Sequence, residues 1–261
     1  MNNPTMKVKL ILLACIACCA FRPAFGWGKT GHDAIAYIAE CNLTSRAKKN
    51  IEKYLDGRSI VYYASWMDQV RFTKPYRATS KWHGFATDAE ARYIPSPGED
   101  AVLAIEEAAA TLRDYRHQDD SMVCTAIRYL VHLVGDMHCP VHIRYPWYEK
   151  FLFKIYGREY QIHSFWDAVP DIIHTWGYED YRCQLDRCSK TERKALAAGT
   201  PREWADENAR NCRVIYDWIK SGDNLTKAQS HDFMLNVQPL AEQQILKAGY
   251  RLARILNELF D

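Results

Sequence analysis

Helical signals dominate the sequence downstream of residue 26, and they constrain the fold more than any other feature. Thr200, Pro201 and Glu203 combine a capping box with proline at the first helical position. Only residues 151–162 alternate in the manner of a β-hairpin. The sequence predicts a mainly α fold, a single-domain helical bundle with one short β-hairpin. Helical periodicity or caps mark six segments: 34–40, 44–56, 99–116, 121–137, 200–220 and 240–260.

The composition is that of a globular chain. Of its 261 residues, 48% are apolar and 25% are charged, and the formal net charge is +2. This balance argues against a protein held on nucleic acid by bulk positive charge, because such domains carry a basic excess. No linker or internal repeat divides the chain after residue 26, so we expect one domain over residues 27–261. Any phosphate binding must come from a local site.

The first 26 residues differ from the rest of the chain. Two lysines precede an uncharged apolar run at 10–21, and the segment Ala24-Phe25-Gly26 follows. This pattern is typical of a signal peptide cleaved after Gly26, and the run is too short to span a bilayer comfortably. A lipoprotein-type cleavage before Cys15 is the alternative. We expect a secreted or periplasmic protein that begins at Trp27 and has no membrane span.

Cysteines beyond the leader permit disulfide bonds. Of nine cysteines, three lie before residue 27, and the remaining even number is compatible with pairing in an exported chain. Cys183 and Cys188 are near enough in sequence to close a small loop and form the one specific pair that the sequence favours.

Two His-x-x-x-Asp pairs indicate metal binding. His132 with Asp136, and His163 with Asp167, stand four residues apart and share a helix face. A proline just beyond the first pair ends its helix and lets His142 fold back. One such pair is commonly a surface ion pair or a core histidine, but two pairs with a third histidine predict a multinuclear site. Nitrogen and carboxylate donors without thiolate suit catalytic zinc better than structural zinc.

The order and spacing of these residues resemble the trinuclear-zinc, single-strand-specific nucleases, the family of mung bean nuclease and the related 3'-nucleotidases. The resemblance covers essentially the whole chain after residue 26. It implies a phospholipase C/nuclease-like bundle that cleaves single-stranded DNA or RNA endonucleolytically to 5'-phosphate products, with 3'-nucleotidase activity. The matching motifs are Trp27-Gly28-Lys29-Thr30-Gly31-His32, Trp66-Met67-Asp68, Trp82-His83, the run 132–142, His163 to Asp167, and the terminal segment 248–257.

The resemblance implies three zinc ions and a set of site residues. One zinc ion would be held by Asp68, His83, His132 and Asp136. A second would be held by His142, His163 and Asp167. The third would take the α-amino nitrogen and carbonyl oxygen of Trp27, with His32 and a shared Asp136.

Two further residues are candidates for contact with the substrate, and the resemblance supports the first of them. Arg71 matches a basic position of the family and would clamp a phosphate oxygen or the charge of the transition state, beside the catalytic Asp68 and Asp136; an exposed, solvated arginine is the alternative. Phe85 is the nearest candidate for an aromatic platform on which the bases of a single strand stack, and a core phenylalanine is the alternative. We expect single-stranded nucleic acid or 3'-nucleotides as substrate, and a monomer.

The chain departs from the family pattern around the expected cleft. Gly84 stands where members commonly place an aromatic residue, and Cys139 where many have glutamine. The segment 145–160 is aromatic and basic, where a glycine- and asparagine-rich stretch is usual, and Gln161 replaces an asparagine. These changes leave the expected ligands intact and alter the cleft walls.

Two other functions stay open at this point. A zinc-dependent phospholipase C has a similar cluster, but typically ends its ligand set with glutamate and has a longer gap after the first tryptophan. Asp167 and the short step from Trp27 to His32 favour the nuclease. A non-catalytic exported zinc-binding protein is the second alternative.

Overall fold

A computed structural model describes residues 27–261, and the expected signal peptide at 1–26 lies outside the described residues. Within that range the chain forms eleven α-helices, which confirms the mainly α prediction. They are α1 (Lys29–Cys41), α2 (Ser45–Tyr54), α3 (Trp66–Val70), α4 (Ala101–Leu112), α5 (Asp120–Met137), α6 (Ile162–Ile173), α7 (Tyr178–Leu185), α8 (Lys190–Ala197), α9 (Pro201–Cys212), α10 (Ile215–Trp218) and α11 (Lys227–Phe260).

Side-chain caps explain where several helices begin. The Thr44 hydroxyl accepts a hydrogen bond from the Ala47 amide at 3.0 Å at the start of α2. The Asp100 carboxylate does the same at α4, with the Val102 amide 2.8 Å away. Thr200 forms the expected capping box at α9. Local chemistry therefore sets these boundaries close to the predicted ones.

The last helix differs from its prediction. It begins at Lys227, well before residue 240, because Thr226 forms a capping box with Gln229. Pro239 lies inside the helix. Helices α7 and α8 were not predicted either, although Ser189 and Glu192 form a capping box at α8. Short helices expose too little apolar periodicity to be recognised from spacing alone.

The predicted hairpin is confirmed as β4 (Leu152–Ile155) paired antiparallel with β5 (Arg158–Gln161). Tyr156 and Gly157 connect the strands with φ of 50° and 74°, the left-handed backbone that a two-residue hairpin turn requires.

A second, three-stranded sheet was not predicted. It orders its short strands as β2 (Tyr93–Ile94), β1 (Phe85–Thr87) and β3 (Ile143–Arg144). β1 pairs in parallel with β3, with Phe85 opposite Ile143. This pairing brings the backbone that follows His83 against the backbone that follows His142.

The helices bury a continuous apolar core, with α1 packed against α11 and α4 against α5. Gly249 of α11 makes the first contact possible, because a Cβ there would lie 2.5 Å from Ile38. Among the described helices none has the length and apolar character needed to cross a membrane.

The six cysteines at 27–261 all carry free thiols in this structure, so the expected Cys183–Cys188 bridge is not formed. Cys183 is exposed within α7, whereas Cys188 lies beyond the helix end, beside the side chain of Tyr250. The two thiols therefore have different surroundings.

Candidate metal centre

Asp136 lies at the middle of a cluster of buried histidines. Its Oδ2 is 2.7 Å from Nδ1 of His83 and 3.0 Å from Nε2 of His132. Its Oδ1 is 3.4 Å from Nε2 of His32 and 3.3 Å from Nδ1 of His142. The two oxygens of one carboxylate therefore face two separate pairs of imidazoles.

Helix α5 carries His132, and a hydrogen bond to the backbone orients its ring. Nδ1 of His132 donates to the carbonyl of Ala64 at 2.8 Å, which turns Nε2 toward Asp136. The ring of His32 stacks on that of His132, with centroids 4.1 Å apart. Gly135 leaves room for this stack, because a Cβ there would lie 2.9 Å from Nδ1 of His32. Helix α5 thus supplies two possible metal ligands, His132 and Asp136, and leaves space for a third, His32.

Asp68 and Arg71 approach the cluster from α3 and its end. Oδ1 of Asp68 is 3.7 Å from Nε2 of His132 and 3.8 Å from Nδ1 of His83. Nη1 of Arg71 is 3.6 Å from the same oxygen, and the side chain also lines the adjoining cleft. Arg71 therefore links the donor cluster to the space where a substrate would lie.

The remaining expected donors come from α6 and the turn before β3. Nε2 of His163 is 3.6 Å from Oδ2 of Asp167, one turn further along α6. The rings of His142 and His163 lie 5.0 Å apart between centroids. Cys139, which was not expected to be a ligand, offers its Sγ in one group with donor atoms of His142 and Asp167.

The first described residue packs against the same region. Trp27 is fully buried, and the amide of Gly28 donates to the backbone carbonyl of Asp167 at 2.7 Å. A Cβ at Gly31 would lie 2.9 Å from the Cβ of Trp27, so glycine is needed for the tryptophan to fit. Trp27 and the start of α1 therefore lie beside α6, through Gly28 at Asp167 and Gly31 near Pro170.

Buried donor atoms without hydrogen bonds show that this cluster fits cations. Each such atom costs about 1–3 kcal/mol when it has no partner, and a bound metal ion would supply one. Nitrogen and carboxylate oxygen donors are the set that zinc and similar divalent ions accept. The carboxylate and imidazole atoms of this cluster that are buried without a hydrogen bond are both ring nitrogens of His32, Oδ1 of Asp68, Nε2 of His83, Oδ1 of Asp136, Nδ1 of His142 and both oxygens of Asp167.

The ionisation of these groups follows from their burial. Burial raises the pKa of Asp167 well above its usual value, and the charges of Asp136 and Asp68 raise it further. Burial lowers the pKa of His142 to about 3 and that of His163 to about 4. Both imidazoles are therefore neutral near pH 7, the state in which histidine binds a metal ion.

Asp136 behaves in the opposite way. Burial favours its neutral form, but the neighbouring imidazoles of His132, His142 and His83 outweigh that effect and hold its pKa well below the usual value. Asp136 in turn raises the pKa of His132 to about 9, against the effect of burial. The carboxylate at the centre of the cluster is thus kept ionised.

The cluster opens into a cleft of about 560 Å³. Its lining includes His83, His142 and His163, and among the described residues no Asp or Glu contributes to it. The chain's small net charge therefore conceals a local basic surface. The cationic side chains in the lining, which we call the basic rim, are Arg71, Lys81, Arg144 and Lys150.

Phe85 does not line this cleft, so its expected role in base stacking was wrong. The ring is fully buried and packs edge-on against Tyr93, with centroids 6.0 Å apart. Strand β1 turns it toward the core. Gly84 has no space for a substitute, because a Cβ there would lie 2.4 Å from the carbonyl oxygen of His142.

Sequence reasoning missed most of the basic rim. Lys150 lies in the aromatic and basic segment noted as a departure from the family, but Lys81 and Arg144 carried no motif. The guanidinium of Arg144 is held by the backbone carbonyls of Gly84 and Glu99. Only the pairing of β1 with β3 brings these distant segments to one cleft.

His138 lies near the cluster but is committed elsewhere. Its Nδ1 donates to the carbonyl of Val134 at 2.7 Å, and its Nε2 accepts from Nη1 of Arg251 at 2.8 Å. Both ring nitrogens are thus occupied by protein partners, which agrees with its absence from the expected ligands.

Comparison with known proteins shows which family the chain belongs to. The S1/P1 nuclease family model matches residues 27–261. The chain is 25% identical to endonuclease 2 of Arabidopsis thaliana over 296 aligned positions, which cover 99% of both chains. It is also 25% identical to nuclease S1 of Aspergillus oryzae, over 89% of this chain and 91% of the relative. Nuclease P1 of Penicillium citrinum is 25% identical over 89% of this chain and 97% of its own length. The chain therefore belongs to the S1/P1 nuclease family, whose members are hydrolases that act on nucleic acids.

Proposed function

We propose that this protein is an exported, zinc-dependent endonuclease that hydrolyses single-stranded DNA or RNA to 5'-phosphate products and also removes 3'-phosphates from nucleotides. The observation that carries this proposal is Asp136, whose two oxygens face two pairs of buried histidines beside a basic cleft. One carboxylate between two donor sets is suited to a multinuclear metal centre rather than to a single ion.

Three sets of donors would hold three zinc ions. The residues assigned to one ion are Asp68, His83, His132 and Asp136. Those assigned to a second are His142, His163 and Asp167. The third ion would be held by the α-amino nitrogen and carbonyl oxygen of Trp27, with His32 and Asp136. Bound zinc would act as a Lewis acid and would lower the pKa of a bound water molecule to about 7.

The protein's own cations would bind the phosphates. Arg71 contacts Asp68 and lines the cleft, and its guanidinium would donate to two oxygens of the scissile phosphate and stabilise the negative charge that develops on them. Lys81, Arg144 and Lys150 would hold the phosphates on either side of the scissile one.

The cleft favours a flexible strand over a duplex. Its floor is the donor cluster, and a single strand bends into such a recess more readily than a stiff double helix does. Phe85 is buried, which leaves Tyr148 as the one Phe, Tyr or Trp side chain among the described residues of the lining, beside four cationic ones, so phosphate contacts would dominate binding. We therefore expect weak base preference and a strong dependence of KM on salt concentration.

Chelation and restoration of metal test the proposal. Single-stranded DNA and RNA oligonucleotides are incubated with the enzyme before treatment with a chelator, after it, and after zinc is restored. We expect cleavage to stop and then return, and the fragments to carry 5'-phosphates. Undiminished cleavage by protein shown to contain no metal would contradict the zinc dependence, and 3'-phosphate ends would contradict the proposed bond cleavage.

The proposed amino terminus has its own test. One extra residue before Trp27 converts its amine into an amide, which no longer binds a metal ion as an amine with a pKa of about 8 does. We expect the extended protein to bind one zinc ion fewer and to lose activity, whereas the same residue added after the exposed Asp261 should change neither. Exported protein should begin at Trp27 by mass spectrometry. Three zinc ions and full activity in the extended protein would contradict the proposed ligand.

A further inference from the structure

Cys139 is a buried thiol that the proposed ligand sets do not use. It is fully buried and directly precedes the 3-10 turn Pro140–His142. Its backbone is fixed at both ends, because its amide donates to the carbonyl of Asp136 and its carbonyl accepts from the amide of His142, both at 3.0 Å. In such a turn residues three apart lie on the same side, which directs Cys139 and His142 to one space.

The distances among three donors are compatible with a common metal ion. The Sγ of Cys139, a ring nitrogen of His142 and a carboxylate oxygen of Asp167 all lie within 4.8 Å of one another. Around tetrahedral zinc, a sulfur and a nitrogen ligand are roughly 3.5 Å apart, given bond lengths of about 2.3 Å and about 2.0 Å. Small side-chain rotations close the difference between these separations.

Asp167 provides a second, independent indication of a ligand at this place. The residue is only 5% exposed, and neither of its oxygens has a hydrogen-bond partner among the described residues. The amide of Gly28 donates a hydrogen bond to the backbone carbonyl of Asp167, which fixes the backbone from which the Asp167 side chain projects. A buried carboxylate beside a thiol and an imidazole is a donor set that suits a divalent metal ion.

The other fully buried thiol differs in this respect. Cys212 accepts a hydrogen bond from Nε2 of Gln244 at 3.3 Å, and Nε2 also donates to Asn208. Cys212 belongs to none of the donor groups found among the described residues. It is therefore a matched control for burial without metal binding.

We propose that Cys139 is a metal ligand, whose sulfur joins His142 and Asp167 around the second ion of the centre. This inference rests on the proposed zinc dependence. On binding, the thiol proton passes to solvent and a metal–sulfur bond forms, with no change of oxidation state. His163, whose side chain is 26% exposed, would be the fourth donor on the cleft side.

A sulfur donor would change the character of this site. Zinc held by four protein ligands, one of them a thiolate, has the coordination number of a closed structural site rather than that of an open catalytic one. The ion held here would leave less room for a substrate oxygen than one bound by nitrogen and oxygen donors alone. Discrimination among substrates would then depend more on the other two ions and on the basic rim.

Cobalt substitution tests the proposal without reference to activity. The purified protein is stripped with a chelator and titrated with Co²⁺ while its absorption spectrum is recorded. Thiolate bound to Co²⁺ gives an intense near-ultraviolet charge-transfer band that imidazole and carboxylate ligands do not give. We expect this band in the wild-type protein and in C212S, and its loss in C139S. Cobalt affinity should fall by about tenfold or more in C139S, since loss of even an outer-shell partner commonly costs that much.

X-ray absorption at the zinc edge of the wild-type protein supplies a second measurement, which does not depend on whether C139S folds. We expect a sulfur at about 2.3 Å from zinc. Metal that binds with no sulfur signal by either method would overturn the role of Cys139 and leave the proposed function intact. A protein that binds neither cobalt nor zinc would overturn this inference and the proposed zinc dependence together.

Discussion

Replacement of Gly84 by alanine tests how closely two strands must approach to assemble the site. An ideal Cβ at this position would lie 2.4 Å from the carbonyl oxygen of His142 and 3.3 Å from its carbonyl carbon. Ordinary contacts of a Cβ begin at 3.4 Å, so one backbone must retreat by about 1 Å. The atom in the way belongs to backbone and cannot swing aside as a flexible side chain would.

The effect on the site follows from the neighbours of Gly84. His83 precedes it, and both His83 and His142 contact Asp136, at 2.7 Å and 3.3 Å. If either histidine moves by about 1 Å, its ring nitrogen no longer lies at ligand distance from an ion shared with Asp136. A misplacement of this size costs about a hundredfold in the rate of catalysis. Overpacking should also lower the free energy of unfolding by about 1–3 kcal/mol.

The assay is cleavage of a single-stranded oligonucleotide by metal-saturated protein, together with thermal unfolding and a count of bound zinc. Gly177→Ala is the matched control, because the nearest atom to a Cβ there is 3.8 Å away. We expect G84A to lose about a hundredfold in kcat/KM while G177A stays close to wild type. A G84A protein with a wild-type rate and full zinc content would refute the claim that this contact sets the position of the ligands.

Three further predictions concern the centre and its rim. Asp136→Asn should reduce the rate by more than about a hundredfold, because loss of even outer-shell partners commonly costs 10–100-fold in metal sites, and zinc content should fall; a rate within tenfold of wild type would contradict its place between two donor sets. Lys150→Gln should raise KM for oligonucleotides and reduce the slope of log binding constant against log salt concentration by about 0.7, the contribution of one single-strand phosphate contact. Lys194→Gln on α8 is the control and should change neither KM nor this slope. Equal slopes for the two variants would show that Lys150 does not contact a phosphate. In chelated protein, His142 and His163 should remain neutral in an NMR titration down to about pH 5, because burial disfavours the charged imidazole and lowers their pKa to about 3 and about 4; midpoints near the ordinary histidine value of about 6.5 would show that these rings are solvated.

Much of the helical framework could be predicted from local chemistry. Thr44 and Thr200 cap helices through side-chain hydrogen bonds to amides only three residues ahead, and such contacts need no tertiary partner. The pair His163 and Asp167 shares a face of α6 for the same reason. The start of α11 was missed because the box at Thr226 precedes a polar stretch with little apolar periodicity.

The sequence by itself determined which chemistry the chain carries: a mainly α framework, two histidine and aspartate pairs on helices, and the motifs of a nuclease family. Only the tertiary structure decided how those residues meet. The Phe85–Ile143 pairing sets His83 beside His142, turns the Phe85 ring into the core, and brings Arg144 to the cleft. The tertiary structure also brings Cys139 beside Asp167. The physical reason is range: helix spacing and caps act within one turn, whereas these contacts join segments far apart in the chain, and only the packing of the whole core determines which of them form.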